Sequence, residues 1–406
     1  MAADATRLLP DEESQLSEGL RHHEGDEDRL GRCRRCGRSC GGCCRFLWAC
    51  CGEIWCGFGP EVCKLLCCPP LPSRITSKLA FAPPPPSYDV RLDSASQQMQ
   101  LWLQREEGLR LFVPPGSPAP YTLHVDWLCT RSRQHVPALF IRPTRAARAA
   151  AFAAGTGPAP NPAQHGASEA EDTDYFVIFY SHANGTDLGE MLEFYVALVE
   201  RLGVGVYAYE YTGYGAATGD ATHESQCIQD ATAAWQRLTA PAAGDGGGGH
   251  GVRPERVIIY GQSIGSGPAT YLASEPGLGA GAAALILHAA VLSLIRVVLP
   301  IGRTLPIDPF PNIERMPSVR MPVAVIHGDA DDMVPCSHGE ALHAAAPTKL
   351  PPCWLRGAGH NDLALYPQYY QYLGDTVRGL AAGSGGAGGA AAGQAADAPA
   401  PSRMRR

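Results

Sequence analysis

The chain has 406 residues, 45% of them hydrophobic and 18% charged, and a formal net charge of −7. That is enough apolar material for one large core with flanking segments, and the acidic balance excludes a global nucleic-acid signature. Eleven of the 15 cysteines fall between Cys33 and Cys68, whereas a secreted disulfide scaffold would spread them through the fold.

Residues 1–28 are rich in Asp and Glu and poor in large apolar groups, which predicts disorder. They lack the apolar core of a secretory signal, so a protein on the cytosolic, reducing side is expected. Arg29, Arg32, Arg34, Arg35, Arg38 and Arg45 then reverse the sign, with Cys33, Cys36, Cys40 and Cys43 among them. Such cysteines could hold a tetrahedral zinc, but the spacers are very short and no core residues surround them. A lipidation zone is the better reading: arginines attract anionic lipid and cysteines accept acyl chains. Residues 43–68 add Phe46, Trp48, Trp55, Phe58, Leu65 and Leu66, an interfacial rather than spanning composition. Two or more acyl chains anchor stably where one does not, and Cys63, Cys67 and Cys68 are the candidates for S-acylation. Residues 1–42 therefore read as a disordered acidic and basic extension, and 43–90 as a cysteine-rich membrane anchor with a proline-rich spacer, Pro83 to Pro86.

A single large domain is predicted over 117–380. Strands begin near Tyr121, where apolar and polar residues alternate through Trp127 as in a half-buried antiparallel strand; Pro137 to Ile141 is the hairpin partner. Residues 143–173 show no periodicity and read as a structureless surface insertion. Tyr175–Tyr180 is continuously apolar, as in a parallel strand covered on both faces. Leu188–Leu202 has a helical period, Val204–Tyr209 reads as a strand and Ser225–Leu238 as a helix. Further strands are expected at Arg256–Tyr260, Ala283–Leu287 and Val323–Ile326, with a last helix from Leu363 to Leu380 and a flexible tail over 381–406. The stretch Ala280–Ile295 is interrupted by His288 and too short to span a bilayer. Alternating strands and helices predict one doubly wound, mostly parallel α/β sheet.

Gly261-Gln262-Ser263-Ile264-Gly265 lies between an apolar strand and a segment of small residues, the setting of a nucleophile elbow in an α/β-hydrolase. A serine hydroxyl needs a base, and in that fold the acid and then the histidine follow the serine. His360, in Gly357-Ala358-Gly359-His360-Asn361-Asp362 just before the last helix, is the candidate base. The strand at 322–326 is followed by Asp329, Asp331 and Asp332; Asp331 fits the H-G-x-x-D-x-x-V pattern and is the candidate acid. His327, His338 and His182 read as structural. The oxyanion hole needs two backbone N–H groups, one from Ile264 and one from the loop after Tyr180, where Asn184 is the first choice and Ala183 the alternative. No metal site is required, and no cofactor is expected because neither a phosphate loop nor a dinucleotide fingerprint is present. The interval Val291–Arg320 reads as a small lid, with Phe310 placed in an acyl groove.

Several stretches together resemble the membrane-associated α/β-hydrolase-domain family 17: CCPPLPSRITSKLAF at 67–81, SHANGTDLGEM at 181–191, YTGYG at 211–215, YGQSIGSGP at 260–268, DPFPNIE at 308–314, HGDADDMV at 327–334 and GAGHND at 357–362. The likeness covers most of residues 61–380. It departs at Ala183, where the family usually has Gly, at Glu210, where it usually has Asp, in the roughly sixty residues that precede the stretch matching the family's cysteine cluster, and in the longer loops 143–173 and 241–253. The resemblance implies an N-terminally S-acylated serine hydrolase that removes palmitate from protein cysteines at the cytosolic face of the plasma membrane or endosomes. S-palmitoylated proteins would be its substrates and the membrane its partner. Another serine hydrolase acting on esters or peptides, or a catalytically silent adaptor, are the competing classes.

Overall fold

The protein is described from a computed structural model, which covers residues 81–105, 108–111, 119–159, 175–219, 222–242, 248–299 and 301–384. The expected acidic extension, the arginine–cysteine segment, Cys63, Cys67 and Cys68 lie outside these residues.

Eight strands form the central sheet. They are β4 (Tyr121–Cys129), β5 (His135–Pro143), β6 (Val177–Ser181), β7 (Gly205–Tyr209), β8 (Val257–Gln262), β9 (Ala284–His288), β10 (Val323–Gly328) and β11 (Cys353–Leu355). Their spatial order is β11-β10-β9-β8-β6-β7-β5-β4. In this sheet β4 pairs antiparallel with β5, β5 pairs antiparallel with β7, and the remaining pairs are parallel. This is the α/β-hydrolase topology. The parallel strands read as unbroken apolar runs because both faces are covered. Val177 and Phe179 enter one core with Trp235, Leu272 and Leu342, while Ile178 and Tyr180 enter the other with Leu192, Tyr195 and Tyr369.

The helices follow the predicted periods closely. Helix α2 (Leu188–Leu202) buries Leu188, Leu192, Tyr195, Leu198, Val199 and Leu202, a stripe at helical spacing. Asp187 caps its N-terminus by accepting the Glu190 N–H, and Gly203 closes it at φ +64°, the left-handed conformation glycine tolerates best. Helices α3 (Glu224–Thr239), α4 (Ser266–Ser274), α7 (Cys336–Ala345) and α8 (Pro367–Ser384) complete the two layers. The last helix starts at Pro367, four residues after the expected Leu363; the intervening Leu363–Leu365 is a short 3-10 turn whose Leu365 N–H donates to the Asp362 carbonyl at 2.8 Å.

Two expectations are corrected. Within the supposed structureless stretch 143–173, Arg145–Ala153 forms helix α1, with Thr144 Oγ1 accepting the Ala147 N–H at 3.2 Å. Alanine has the highest helix propensity, and Ala147 and Ala151 are small enough to seat the helix on its neighbours. The domain also begins earlier than 117. Strands β1 (Tyr88–Leu92), β2 (Met99–Arg105) and β3 (Gly108–Leu111) form a separate antiparallel sheet. Its Tyr88, Leu101 and Leu103 are buried in the core on the α2 side. The short strands and exposed turn at 93–98 hid this sheet from a periodicity reading.

The expected lid, Val291–Arg320, divides into two parts. Helix α5 (Leu294–Val298) leads to an exposed stretch in which Val298 is 78% accessible and Leu299 and Ile307 stand out in solvent. The second part runs into helix α6 (Asn312–Arg315) and is packed beneath α4. Phe310, placed by sequence in an acyl groove, is fully buried at φ +51°. A Cβ at Gly267 would overlap its ring, and Phe81 meets it edge-on at 6.2 Å. Phe310 therefore supports the floor of the elbow helix. Phe310→Ala should cost about 3–5 kcal/mol of stability, read as a lower melting temperature in calorimetry. It should not discriminate long from short acyl substrates; a selective loss on long chains would return Phe310 to the acyl pocket.

Candidate active site

The apolar strand β8 ends at Gln262 and the chain turns sharply at Ser263, whose φ is +52°. A residue with a Cβ occupies that region at a cost of roughly 1–3 kcal/mol, so surrounding contacts must hold it. Ser266 Oγ donates to the Ser263 carbonyl at 2.6 Å. Asn312 Nδ2 donates both to Ser266 Oγ at 3.1 Å and to the Val291 carbonyl at 2.9 Å. A Cβ at Gly265 would overlap the carbonyl oxygens of Ser181 and His182. That glycine lets the loop after β6 lie directly against the elbow.

The predicted base and acid meet this serine. His360 Nε2 lies 2.9 Å from Ser263 Oγ, and His360 Nδ1 lies 2.7 Å from Asp331 Oδ2. With an ionised Asp331, Nδ1 carries the proton and donates, which leaves the Nε2 lone pair to accept from the serine hydroxyl. Asp331 is placed by the turn after β10: its Oδ1 accepts the N–H groups of Met333 at 3.0 Å and Val334 at 2.8 Å. Burial alone would raise its carboxyl. Hydrogen bonds from His327, His360 and the Val334 N–H outweigh burial and hold it well below the usual carboxylate range.

Asp329 and Asp332 are both exposed. Asp329 Oδ1 instead accepts the Gly357 N–H at 2.6 Å and pins the loop that carries His360. The structure thus brings Ser263, Asp331 and His360 together.

Among curated proteins, alpha/beta hydrolase domain-containing protein 17C of Xenopus laevis is 37% identical over 318 residues, covering 77% of this chain and 92% of that protein. The 17B protein of Homo sapiens is 34% identical over 315 residues, covering 77% of this chain and 94% of that protein. The chain belongs to the alpha/beta hydrolase domain-containing protein 17 family. No family model matches it. Among solved structures, the Pyrococcus furiosus esterase Pf2001 aligns with a TM-score of 0.45 at 13% identity, over 73% of this chain and 96% of that chain.

The loop that departs from the usual family sequence is well ordered by its neighbours. Asn184 Oδ1 accepts the Ala82 N–H at 2.9 Å and the Tyr214 O–H at 2.7 Å. His182 is buried, with Nδ1 2.9 Å from the Ala183 carbonyl and Nε2 2.9 Å from Glu210 Oε1. Glu210 Oε2 accepts the Tyr88 O–H at 2.8 Å and the Leu188 N–H at 3.1 Å. Segment 81–88, read from sequence as spacer, is therefore stitched to the loop beside the elbow. Sequence reasoning also missed Ser266 and Asn312. Asn312 lies inside DPFPNIE, a stretch that carried the family resemblance, but nothing local says that its amide reaches back to the elbow.

One further cluster was tested as a metal centre. The ligating atoms of His124, Asp126 and His250 lie within 4.8 Å of one another. Arg142 Nη2 is 2.9 Å from His250 Nδ1, and a guanidinium can only donate. His250 must therefore carry its proton on Nε2, which lies 2.5 Å from Asp126 Oδ2; a metal would need that same lone pair. Arg237 Nε and Nη2, each at 2.8 Å, occupy Asp126 Oδ1. The cluster is an ion-pair latch at the edge strand β4, four strands from Ser263 and so roughly 19 Å away at ordinary strand spacing.

The geometry makes a clear distinction between the acids. Ser263→Ala and His360→Ala should each reduce hydrolysis of a small nitrophenyl ester roughly 10⁴–10⁶-fold. Asp331→Asn should cost about 10³–10⁴-fold with the fold intact by circular dichroism. Asp329→Asn should stay within about tenfold of the parent chain. A dead Asp329→Asn beside a normal Asp331→Asn would reverse the assignment.

Proposed function

We propose that this protein is a serine hydrolase that cleaves palmitoyl thioesters from S-acylated protein cysteines at membranes. The observation that carries the serine mechanism is the unbroken line Ser263 Oγ, His360, Asp331, with separations of 2.9 and 2.7 Å. Ser263 Oγ attacks the thioester carbonyl while its proton passes to His360 Nε2. Asp331 fixes the imidazole tautomer and stabilises the imidazolium. The tetrahedral oxyanion is received by the N–H of Ile264 and by that of Asn184, or Ala183, in the loop against the elbow. The C–S bond breaks, the imidazolium protonates the leaving thiolate, and an acyl-enzyme remains on Ser263. Water, deprotonated by His360, then attacks that ester and releases the fatty acid.

Two features support a lipidated substrate. The likeness to family 17 covers the anchor-side motif CCPPLPSRITSKLAF as well as the catalytic motifs. Exposed apolar side chains also gather on the connections that leave the C-terminal ends of β9, β10 and β11, the end of the sheet that carries Ser263. They are Val298, Leu299, Ile307, Met333 and Leu365. Apolar groups brought together on one surface mark sites that meet a ligand or a membrane, which is the use proposed for these. Cys63, Cys67 and Cys68, once acylated, would hold the enzyme at the cytosolic face of the membrane where its substrates reside.

The deciding experiment compares a palmitoyl-cysteine peptide, its oxygen-ester analogue and a plain peptide as substrates. Fastest turnover is expected on the thioester and none with Ser263→Ala. Equal or better turnover of the oxygen ester or peptide would reassign the protein to a lipase-like or peptidase activity. Replacing Cys63, Cys67 and Cys68 together by Ser should shift the protein from the membrane to the soluble fraction while sparing activity on a small soluble thioester. If fractionation leaves the triple variant on membranes, anchoring does not depend on these three cysteines.

A further inference from the structure

The strand that leads into the turn presenting Asp331 carries a second histidine that the reaction as written does not use. His327, on β10, is fully buried, as is the Asp331 side chain it faces. His327 Nε2 lies 2.9 Å from the Val334 carbonyl and 3.2 Å from Asp331 Oδ2. A carbonyl oxygen can only accept, so the Nε2 of this imidazole carries the proton. That N–H is shared between the end of the turn and the carboxylate oxygen that also receives His360 Nδ1–H at 2.7 Å. His327 Nδ1 is buried and has no hydrogen-bond partner among the described residues, and helix α7 closes over it at Gly339, where a Cβ would sit 2.6 Å from Nδ1. A ring wanted only for packing would be better served by an apolar side chain, because the unpaired Nδ1 costs desolvation.

We propose that His327 is a positioning residue for hydrolysis: its Nε2–H draws off part of the charge on the Asp331 oxygen that orients His360, and so loosens that oxygen's hold on the imidazolium formed during the reaction. The inference rests on the serine-hydrolase reading above. An Asp331 oxygen facing only His360 would bind the imidazolium more tightly and trap it protonated. With His327 sharing that oxygen, the imidazole is still oriented but gives up its proton more readily. Asp331 Oδ1 is independently tethered by the Met333 and Val334 N–H groups. Loss of the His327 donor therefore redistributes charge without freeing the carboxylate.

The surrounding titratable groups leave this effect readable. His288, at the end of β9, and His338, on α7, are held neutral by burial, their imidazoles lowered to about 3 and about 4. The Cys336 thiol, also on α7, is pushed up to about 11 by burial and by Glu340, Asp329 and Asp331. Arg296 faces His338. His288, His338 and Cys336 therefore keep one charge state close to neutral pH, which leaves the acid limb of a rate profile to the groups that line up on Ser263.

The test is the pH dependence of Ser263 labelling by a fluorophosphonate in the full chain, compared among the parent chain, His327→Phe and His327→Gln. Phe keeps the ring volume without the donor, and Gln offers an N–H close to the Nε2 position. The Phe variant should move the acid limb to higher pH by roughly half to one unit, a part of the roughly one to two units that a hydrogen bond to a carboxylate is worth, because the effect reaches His360 through Asp331. The Gln variant should restore the parent limb to within about 0.2 unit. An unmoved or lowered limb in a folded His327→Phe overturns the inference while leaving the serine-hydrolase reading intact. Failure of the parent chain to label, or labelling that survives Ser263→Ala, overturns that reading and this inference with it. Should the Phe variant not fold, ¹⁵N-histidine spectra of the parent chain decide the point: a neutral His327 protonated on Nε2 is required, and an Nδ1–H tautomer overturns it.

Discussion

The backbone at Ser263 is the constraint around which the rest of the protein is arranged. A serine at φ +52° is unfavourable alone, and the turn persists because three separate parts of the chain close on it. The loop after β6 presses its Ser181 and His182 carbonyls against Gly265. Ser266, one turn on, caps the Ser263 carbonyl. Asn312, nearly fifty residues downstream, holds Ser266 in place, and Phe310 packs under Gly267. Each contact is modest, about 0.5–1.5 kcal/mol for a hydrogen bond. Together they over-determine a conformation that lifts the serine hydroxyl clear of the sheet edge. The interval between β9 and β10 thus serves two tasks, bracing the elbow from below with its second half and exposing apolar side chains with its first.

The elements around the elbow are legible in the sequence to different degrees, for physical reasons. The parallel strands and α2 follow from period and apolarity, since a covered sheet leaves little choice of residue. Ser263, Asp331 and His360 follow from their order and from the loops that carry them. Three things were not legible. The alanine-rich helix α1 looks like low-complexity coil because its buried positions are as small as its exposed ones. The β1–β3 sheet is built from short strands whose inward residues, Leu101 and Leu103, are too few to establish a period. The bracing residues Ser266 and Asn312 act by long-range hydrogen bonds, and a polar side chain in a sequence does not say which distant group it satisfies.

Segment 81–88 shows the same limit from another side. Its prolines suggest a spacer, and a spacer has no reason to touch the loop beside the elbow. Yet the Ala82 N–H, the Ser87 N–H and the Tyr88 hydroxyl all reach acceptors at or beneath the loop after β6: Asn184, Asp187 and Glu210. The proline run stiffens the chain between these contacts and reduces the entropy lost on docking. What the composition announces as rigidity, the fold uses to hold one strand-end loop against another.

Three buried carboxylates show how one interaction serves different ends. Asp126, Glu210 and Asp331 are all removed from water, and each is retained because donors surround it. Asp126 is gripped by Arg237 and His250 across three chain segments, which suits a permanent latch. Glu210 joins Tyr88, Leu188 and His182, which fixes a loop. Asp331 alone has a partner on a glycine-flanked loop with its far nitrogen turned toward a half-buried serine. The carboxylate chemistry is the same in all three. What sets Asp331 apart from the two struts is that its partner's second face meets a group that can exchange a proton: of the three sets of partners, only His360 meets one.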